Sequence, residues 1–269
     1  MTFDAEYFNI GYLDSLSYKD TFVHRLDPRV KVIVSFAFVL CVVSFPKYEI
    51  TGLLPFFIYP VFLFAAGDIP FNAISKKIIF VAPFAILIGI FNPVLDKSAL
   101  FTFYGVQITA GWISFLAIII KFMLTVSTAL LLVAVTSFPG LCEALERLKL
   151  PRAFVIQLLF LYRYLFVLLE ETLRMIRAKE TRSFGKKGKD IKIFIKFISV
   201  LLIRTLERAE RIYQAMLSRG FKGEIKMRRK YRLRMQDIVF ALFSAGVFYL
   251  FRQYNIVNFL GQALEAALK

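Results

Sequence analysis

The chain has 269 residues, 58% of them apolar, with 31 Phe, one Trp, two Cys and a formal net charge of +16. That apolar share exceeds the roughly 45–50% of soluble domains and excludes disorder, which needs low hydrophobicity. Two cysteines, one of them (Cys41) in an apolar run, exclude a secreted disulfide scaffold and leave an integral membrane protein with a strongly basic part.

Residues 1–29 are polar and include Asp4, Glu6, Asp14, Asp20 and Asp27. No basic stretch followed by an apolar core is present there, so no cleavable signal peptide is expected. At the end of this segment Asp27 is placed to cap a helix and Pro28 to take its first position. Arg29 and Lys31 then anchor the cytosolic end of a first span.

Four apolar segments follow: Val30–Phe45, Ile50–Ala66, Ile78–Phe91 and Ala110–Phe138. A span needs about 20 residues. The shorter runs therefore gain a turn from polar flanks, or one of them is re-entrant. The loop near Tyr104 is aromatic and reads as a small extracytoplasmic hairpin. Lys121 lies inside the fourth segment, where a charge costs about 2.5–3.5 kcal/mol on insertion scales. It reads as a contact to another helix, with an ion pathway as the alternative. A fifth apolar run, Ile238–Phe251, follows Arg228, Arg229, Lys230, Arg232 and Arg234 and reads as a last span with the C-terminal tail outside.

The charge is concentrated. Residues 147–234 hold 24 of the 35 Lys and Arg but only 7 of the 19 Asp and Glu. By the positive-inside bias this third is cytoplasmic, either as an orientation signal against anionic lipid or as a module in its own right. Its length favours a module. Four crossings then place the N-terminus on the same cytoplasmic side.

Within the basic stretch, Pro139 opens a short surface helix with Leu141, Leu145 and Leu148 on one face, stopped at Leu150-Pro151. A long helix is predicted over Ala153–Ser183, apolar on nearly every face at first and charged from Glu170 onward. Asp190 can cap a third helix. There Ile191, Ile195, Ile198, Leu202, Thr205, Ala209, Ile212 and Met216 form a sustained seam at spacings of three and four. That helix reaches Arg219 and stops at Gly220.

The two long helices share a pattern. Val167-Leu168-Leu169 and Val200-Leu201-Leu202 are each followed by Thr-Leu, and the helices end in Arg182-Ser183-Phe184 and Arg219-Gly220-Phe221. A guanidinium beside a small residue at a helix end can enter a narrow groove and offer five N–H donors, which suits docking to two subunits. The simpler alternative is a C-terminal cation favoured by the helix dipole, followed by a stop residue.

His24-Arg25-Leu26-Asp27-Pro28-Arg29-Val30-Lys31 resembles the opening motif of the transmembrane T component of energy-coupling factor transporters, the CbiQ/EcfT type. The resemblance extends to the spans, the Pro-led short helix and the two arginine-tipped helices. It implies an all-α integral membrane protein with about five transmembrane helices and a cytoplasmic coupling module of long amphipathic helices. The expected divisions are 1–29, a cytoplasmic segment; 30–138, spans one to four; 139–234, the coupling module; and 235–269, a last span and tail. The family's coupling motifs map to Thr181-Arg182-Ser183 and Ser218-Arg219-Gly220. The first departs from the usual form, with Thr and Ser where Ala and Gly are common. Asp27, Pro28 and Arg29 are structural in this reading.

The resemblance further implies the scaffold subunit of an ATP-driven importer in the membrane of a prokaryote. Its partners are two cytosolic ABC-type ATPases, which bind the ATP and Mg, and a membrane S component that binds the substrate. The cargo class is a vitamin such as biotin, or a transition metal such as cobalt or nickel. No cofactor or metal belongs to this chain. His24 is its only histidine, too few for an imidazole-built site, and no GxxxxGK[ST], HExxH or GxSxG motif is present. The competing reading is a stand-alone permease with a basic cytoplasmic face. It would need polar residues lining a path through the spans, where Lys121 is nearly alone. A lipid-modifying enzyme lacks the clustered carboxylates it needs. A nucleic-acid binder fits poorly with the apolar seam.

Overall fold

The computed structural model describes residues 14–96, 99–103, 106–182, 191–221 and 233–254. The chain divides into two compact units. Among the described residues, one comprises 14–144 and 233–254, and the other 145–182 and 191–221.

The first unit begins with the short helix α1 (Phe22–Arg25) and helix α2 (Pro28–Val43). Asp27 is the N-cap of α2, its carboxylate accepting from the Arg29 N–H at 2.9 Å, and Pro28 takes the first position. The 16 residues of α2 give about 24 Å of helix. The second apolar run starts as a 3-10 helix, Thr51–Phe57, and passes directly into α3 (Ile58–Gly67). Pro55 and Pro60 each remove a backbone donor, which disfavours a regular α-helix across the join. Helix α3 ends on Asp68 in the left-handed conformation, held by Lys19 at 2.7 Å.

Helix α4 (Phe71–Gly89) continues after a break at Ile90 as α5 (Phe91–Leu95). The apolar stretch is thus longer than the Ile78–Phe91 core visible in the sequence, because Asn72, Ser75, Lys76 and Lys77 also join the helix. Strands β1 (Ala99–Phe103) and β2 (Val106–Thr109) pair antiparallel, with Phe103 opposite Val106. This hairpin is the single departure from all-helical structure among the described residues. Helix α6 (Ala110–Val135) is the centre of the unit and packs against α2, α3, α4 and α5. Ala110, Gly111, Ser114 and Ala117 are buried on it, and small residues let neighbouring backbones approach. A Cβ on Gly111 would lie 2.6 Å from the Asn92 carbonyl, so only glycine fits.

Helix α7 (Phe138–Arg147) follows, its first N–H accepted by the Asp14 carboxylate at 3.1 Å. Burial pushes the Cys142 thiol on this helix up to about 11, so it stays a neutral packing group. The last described helix, α10 (Met235–Gln253), returns to α2 and the 3-10 turn. The core is aromatic: Phe38 contacts Phe56, Tyr59 and Phe248 with ring centroids 4.8–5.8 Å apart. Phe36, Phe80, Phe84 and Leu242 point outward and are exposed, as lipid-facing side chains are.

The second unit contains helices α8 (Arg152–Arg182) and α9 (Ile191–Ser218). Among the described residues, four helical stretches are long and apolar enough to cross a membrane: Phe71–Val94, Ala110–Val135, Arg152–Lys179 and Met235–Gln253; Thr51–Gly67 is shorter. Arg152–Lys179 lies in the stretch that its charge assigned to the cytoplasm. From Ala153 to Leu169, Arg163 is its only charge, so the basic character of α8 belongs to its second half.

Candidate coupling helices and a buried charge knot

Helices α8 and α9 meet at the second half of α8 and the middle of α9. Arg204 on α9 donates to Glu171 on α8 at 2.8 Å. From there an apolar groove of about 700 Å³ opens between them, lined by Phe160, Tyr164 and Leu168 on one side and by Ala209, Ile212 and Met216 on the other. The seam of α9 is therefore used in halves. Thr205, Ala209, Ile212 and Met216 face α8 across the groove, whereas Ile195, Ile198 and Leu202 are exposed.

The end of α9 has a defined chemistry. Gly220 adopts φ +74°, the Phe221 N–H reaches the Met216 carbonyl at 3.0 Å, and the Gly220 N–H reaches Leu217 at 2.9 Å. These bonds make a Schellman cap, and its usual apolar contact is present because Met216 and Phe221 both line the groove. Arg219 is thereby fixed at the C-cap with its side chain exposed. Ser218 turns its hydroxyl back to the Gln214 carbonyl at 3.0 Å. At the other tip, Thr181 bonds the Ala178 carbonyl at 3.0 Å and Arg182 is the last helical residue. Ser183 and Asp190 lie outside the described residues. Arg182 thus ends α8, and Arg219 caps α9. Twenty-nine residues separate Ala153 from Arg182, about 44 Å of helix.

The opening motif forms a buried charge knot in the first unit. Asp27 and Lys31 are buried. The Lys31 ammonium donates to the His24 carbonyl at 3.1 Å and to the last carbonyl of α6, Val135, at 2.9 Å. The Asp27 N–H donates to the Asp237 carboxylate at 2.9 Å, and the other oxygen of Asp237 accepts the Arg234 N–H at 2.7 Å. Arg29 stands 3.6 Å from the Asp27 carboxylate. One lysine and two aspartates thus close the adjoining ends of α2, α6 and α10. Burial and the nearby Lys31 charge hold the His24 imidazole below its ordinary range, so it stays neutral. Its Nδ1 lies 2.7 Å from the Thr21 hydroxyl.

The opposite end of α2 is closed by the reciprocal device. Lys121 of α6 donates to the Phe45 carbonyl at 2.5 Å, and Arg252 of α10 donates to Ser44 at 3.1 Å while lying over the Phe45 ring. Lys121 therefore makes a helix contact. Helices α2 and α6 each lend a lysine to the carboxyl end of the other. Asp237 and Arg252 were not singled out from sequence. Each is an ordinary flank of an apolar run, and its partner lies about 210 residues away.

A multi-span helical membrane unit with charge-locked helix ends, and two long helices with arginine at their tips, define the class: a helical membrane protein built around long amphipathic helices. The model of a family described as cobalt transport protein, CbiQ, matches residues 19–231, and the chain belongs to that family of transmembrane components of energy-coupling factor transporters. The chain is 30% identical over 232 residues to an uncharacterized protein of Methanocaldococcus jannaschii, covering 82% of this chain and 79% of that one. It is 26% identical over 253 residues to the energy-coupling factor transporter transmembrane protein EcfT of Leuconostoc gelidum, covering 86% and 92%. It is 27% identical over 231 residues to the EcfT protein of Bacillus subtilis, covering 78% and 84%.

Proposed function

We propose that this chain is the energy-coupling scaffold of an ATP-driven importer in a prokaryotic cell membrane, its N-terminus cytoplasmic. Two ABC-type ATPases dock on Thr181-Arg182-Ser183 and Ser218-Arg219-Gly220. A membrane S component holds the cargo, a vitamin or a transition metal such as cobalt or nickel. The chain itself performs no catalysis; ATP and Mg belong to the ATPases.

The observation that carries this reading is the placement of the two tips. Each closes its own long helix: Arg182 is the last residue of α8, about 46 Å long, and Arg219 caps α9, about 42 Å long, so the chain offers one arginine tip to each of two globular subunits. An exposed guanidinium at a closed C-cap can enter a carboxylate-lined or carbonyl-lined groove with five donors. The exposed first half of the α9 seam (Ile195, Ile198, Leu202) and the apolar groove beside its second half suit the S component. Motion of the ATPases would reach the cargo subunit through these two stiff helices.

The test is co-purification with the ATPases of the same cell. Arg182→Glu and Arg219→Glu together are expected to reduce recovered ATPase at least tenfold, with insertion and monodispersity unchanged. Equal ATPase recovery from the double variant would sink the docking assignment.

A further inference from the structure

Two cavities along the outer face of α10 share walls. One, of about 140 Å³, lies between α10 and the Thr51–Gly67 stretch. The other, of about 360 Å³, lies at the start of α10 beside Phe22 and Met235. Phe240 and Phe243 line both. On α10 the lining residues Gln236, Phe240, Phe243, Val247 and Phe251 recur every three or four positions, one face of a helix. The groove is therefore continuous over 15 residues, about 22 Å, longer than one ~15 Å leaflet of hydrocarbon.

Its walls are aromatic. Phe62 stacks on Phe240 with centroids 6.3 Å apart, and Phe56 and Tyr59 meet Phe248 behind them. The Tyr59 hydroxyl is turned to Ser35 at 3.3 Å, so the lining offers water almost nothing. The inner cavity is far too narrow for a helix of about 10–12 Å diameter. It suits a single flexible alkyl chain. At its mouth, α10 starts directly after Arg234, which is exposed. A basic residue at the end of a span attracts anionic head groups.

We propose that this groove holds one acyl chain of an anionic phospholipid, with its head group beside Arg234. The site is independent of the ATPase-docking assignment. The lipid fills the gap between α10 and the second apolar run, where Phe243 forms an open lip with 71% of its surface exposed.

The full chain, purified in mild detergent and stripped by repeated gel filtration, is titrated with phosphatidylglycerol and with phosphatidylcholine and read by native mass spectrometry. Wild type is expected to retain about one phosphatidylglycerol per chain and to prefer it at least fivefold over phosphatidylcholine. Val247→Trp, which fills the groove, should lower retention of both lipids at least fivefold. Arg234→Gln should erase only the head-group preference. Phe243→Ala alters an exposed lip, leaves folding intact, and should speed lipid loss several-fold; it carries the test alone if Val247→Trp does not fold. Retention unchanged by these variants, or a second copy of the chain bound in place of lipid, overturns the proposal.

Discussion

The two units use the same residue types in opposite ways. In the first, Lys31, Lys121 and Arg252 give their donors to main-chain carbonyls of neighbouring helices. In the second, Arg174 and Arg204 make ion pairs at exposed positions, and Arg219 projects from a closed helix end. A cation that completes its own backbone is part of the frame. A cation kept outside a finished cap is available to another molecule. The difference separates a unit built to hold its helix ends from one built to present them.

The largest expected effect lies in the knot. Asp237→Ala removes the carboxylate that accepts both the Asp27 and the Arg234 N–H, and each hydrogen bond to a charged group contributes about 1.5–3 kcal/mol. Thermal unfolding in detergent should show this loss. Replacing Asp237 by Asn, which keeps an acceptor for the Asp27 N–H, should recover part of it. A loss below about 1 kcal/mol for Asp237→Ala would place the knot among ordinary surface contacts and dissolve the contrast between the units.

Next comes Lys121. Lys121→Leu leaves the Phe45 carbonyl without its main donor, at a cost of about 1–3 kcal/mol. Arg204→Ala in the second unit should cost under about 1 kcal/mol, since exposed pairs contribute little. Equal effects from these two substitutions would argue against the division drawn above.

Gly220→Ala is expected to cost about 1 kcal/mol, all of it conformational, because φ is +74° and nothing lies within 4 Å of the position a Cβ would take. Hydrogen exchange of the last turn of α9 is the readout. Asn, which tolerates the left-handed region, should be milder than Ala.

The smallest effect is a pH dependence. His24 is held below its ordinary pKa near 6.5, mainly by burial. The unfolded chain therefore binds this proton more readily than the folded one, so stability is complete above 6.5 and declines as pH falls below it. His24→Gln should flatten that decline in a melting series from pH 7.5 to 5.5; an unchanged slope would assign the decline to other groups.

Local signals in the sequence carried much of this fold. Asp27-Pro28 marks the start of α2 and Gly220 the end of α9, because capping and positive φ are properties of a few adjacent residues. The apolar periodicity of α9 likewise follows from neighbouring residues. What the sequence could not reveal depends on partners far along the chain: which half of the α9 seam meets α8, where Lys121 finds its acceptor, and the pairing of Asp27 with Asp237. The 3-10 entry to α3 was obscured because hydropathy counts Pro55 and Pro60 inside an apolar run without registering the donors they remove. The tip residues were visible by their repeated endings.

The reciprocal lysines also set an order of events at the ribosome. At about 24 Å, α2 is shorter than the ~30 Å hydrocarbon layer, so the carbonyls that end it fall at a depth where water is scarce. Lys121 is synthesised 76 residues after the Phe45 carbonyl it completes, and Arg252 follows Ser44 by 208. At 5–20 residues per second the first interval alone is roughly 4–15 s. Through that interval the carboxyl end of α2 in the nascent chain carries hydrogen bonds that only later-made helices complete.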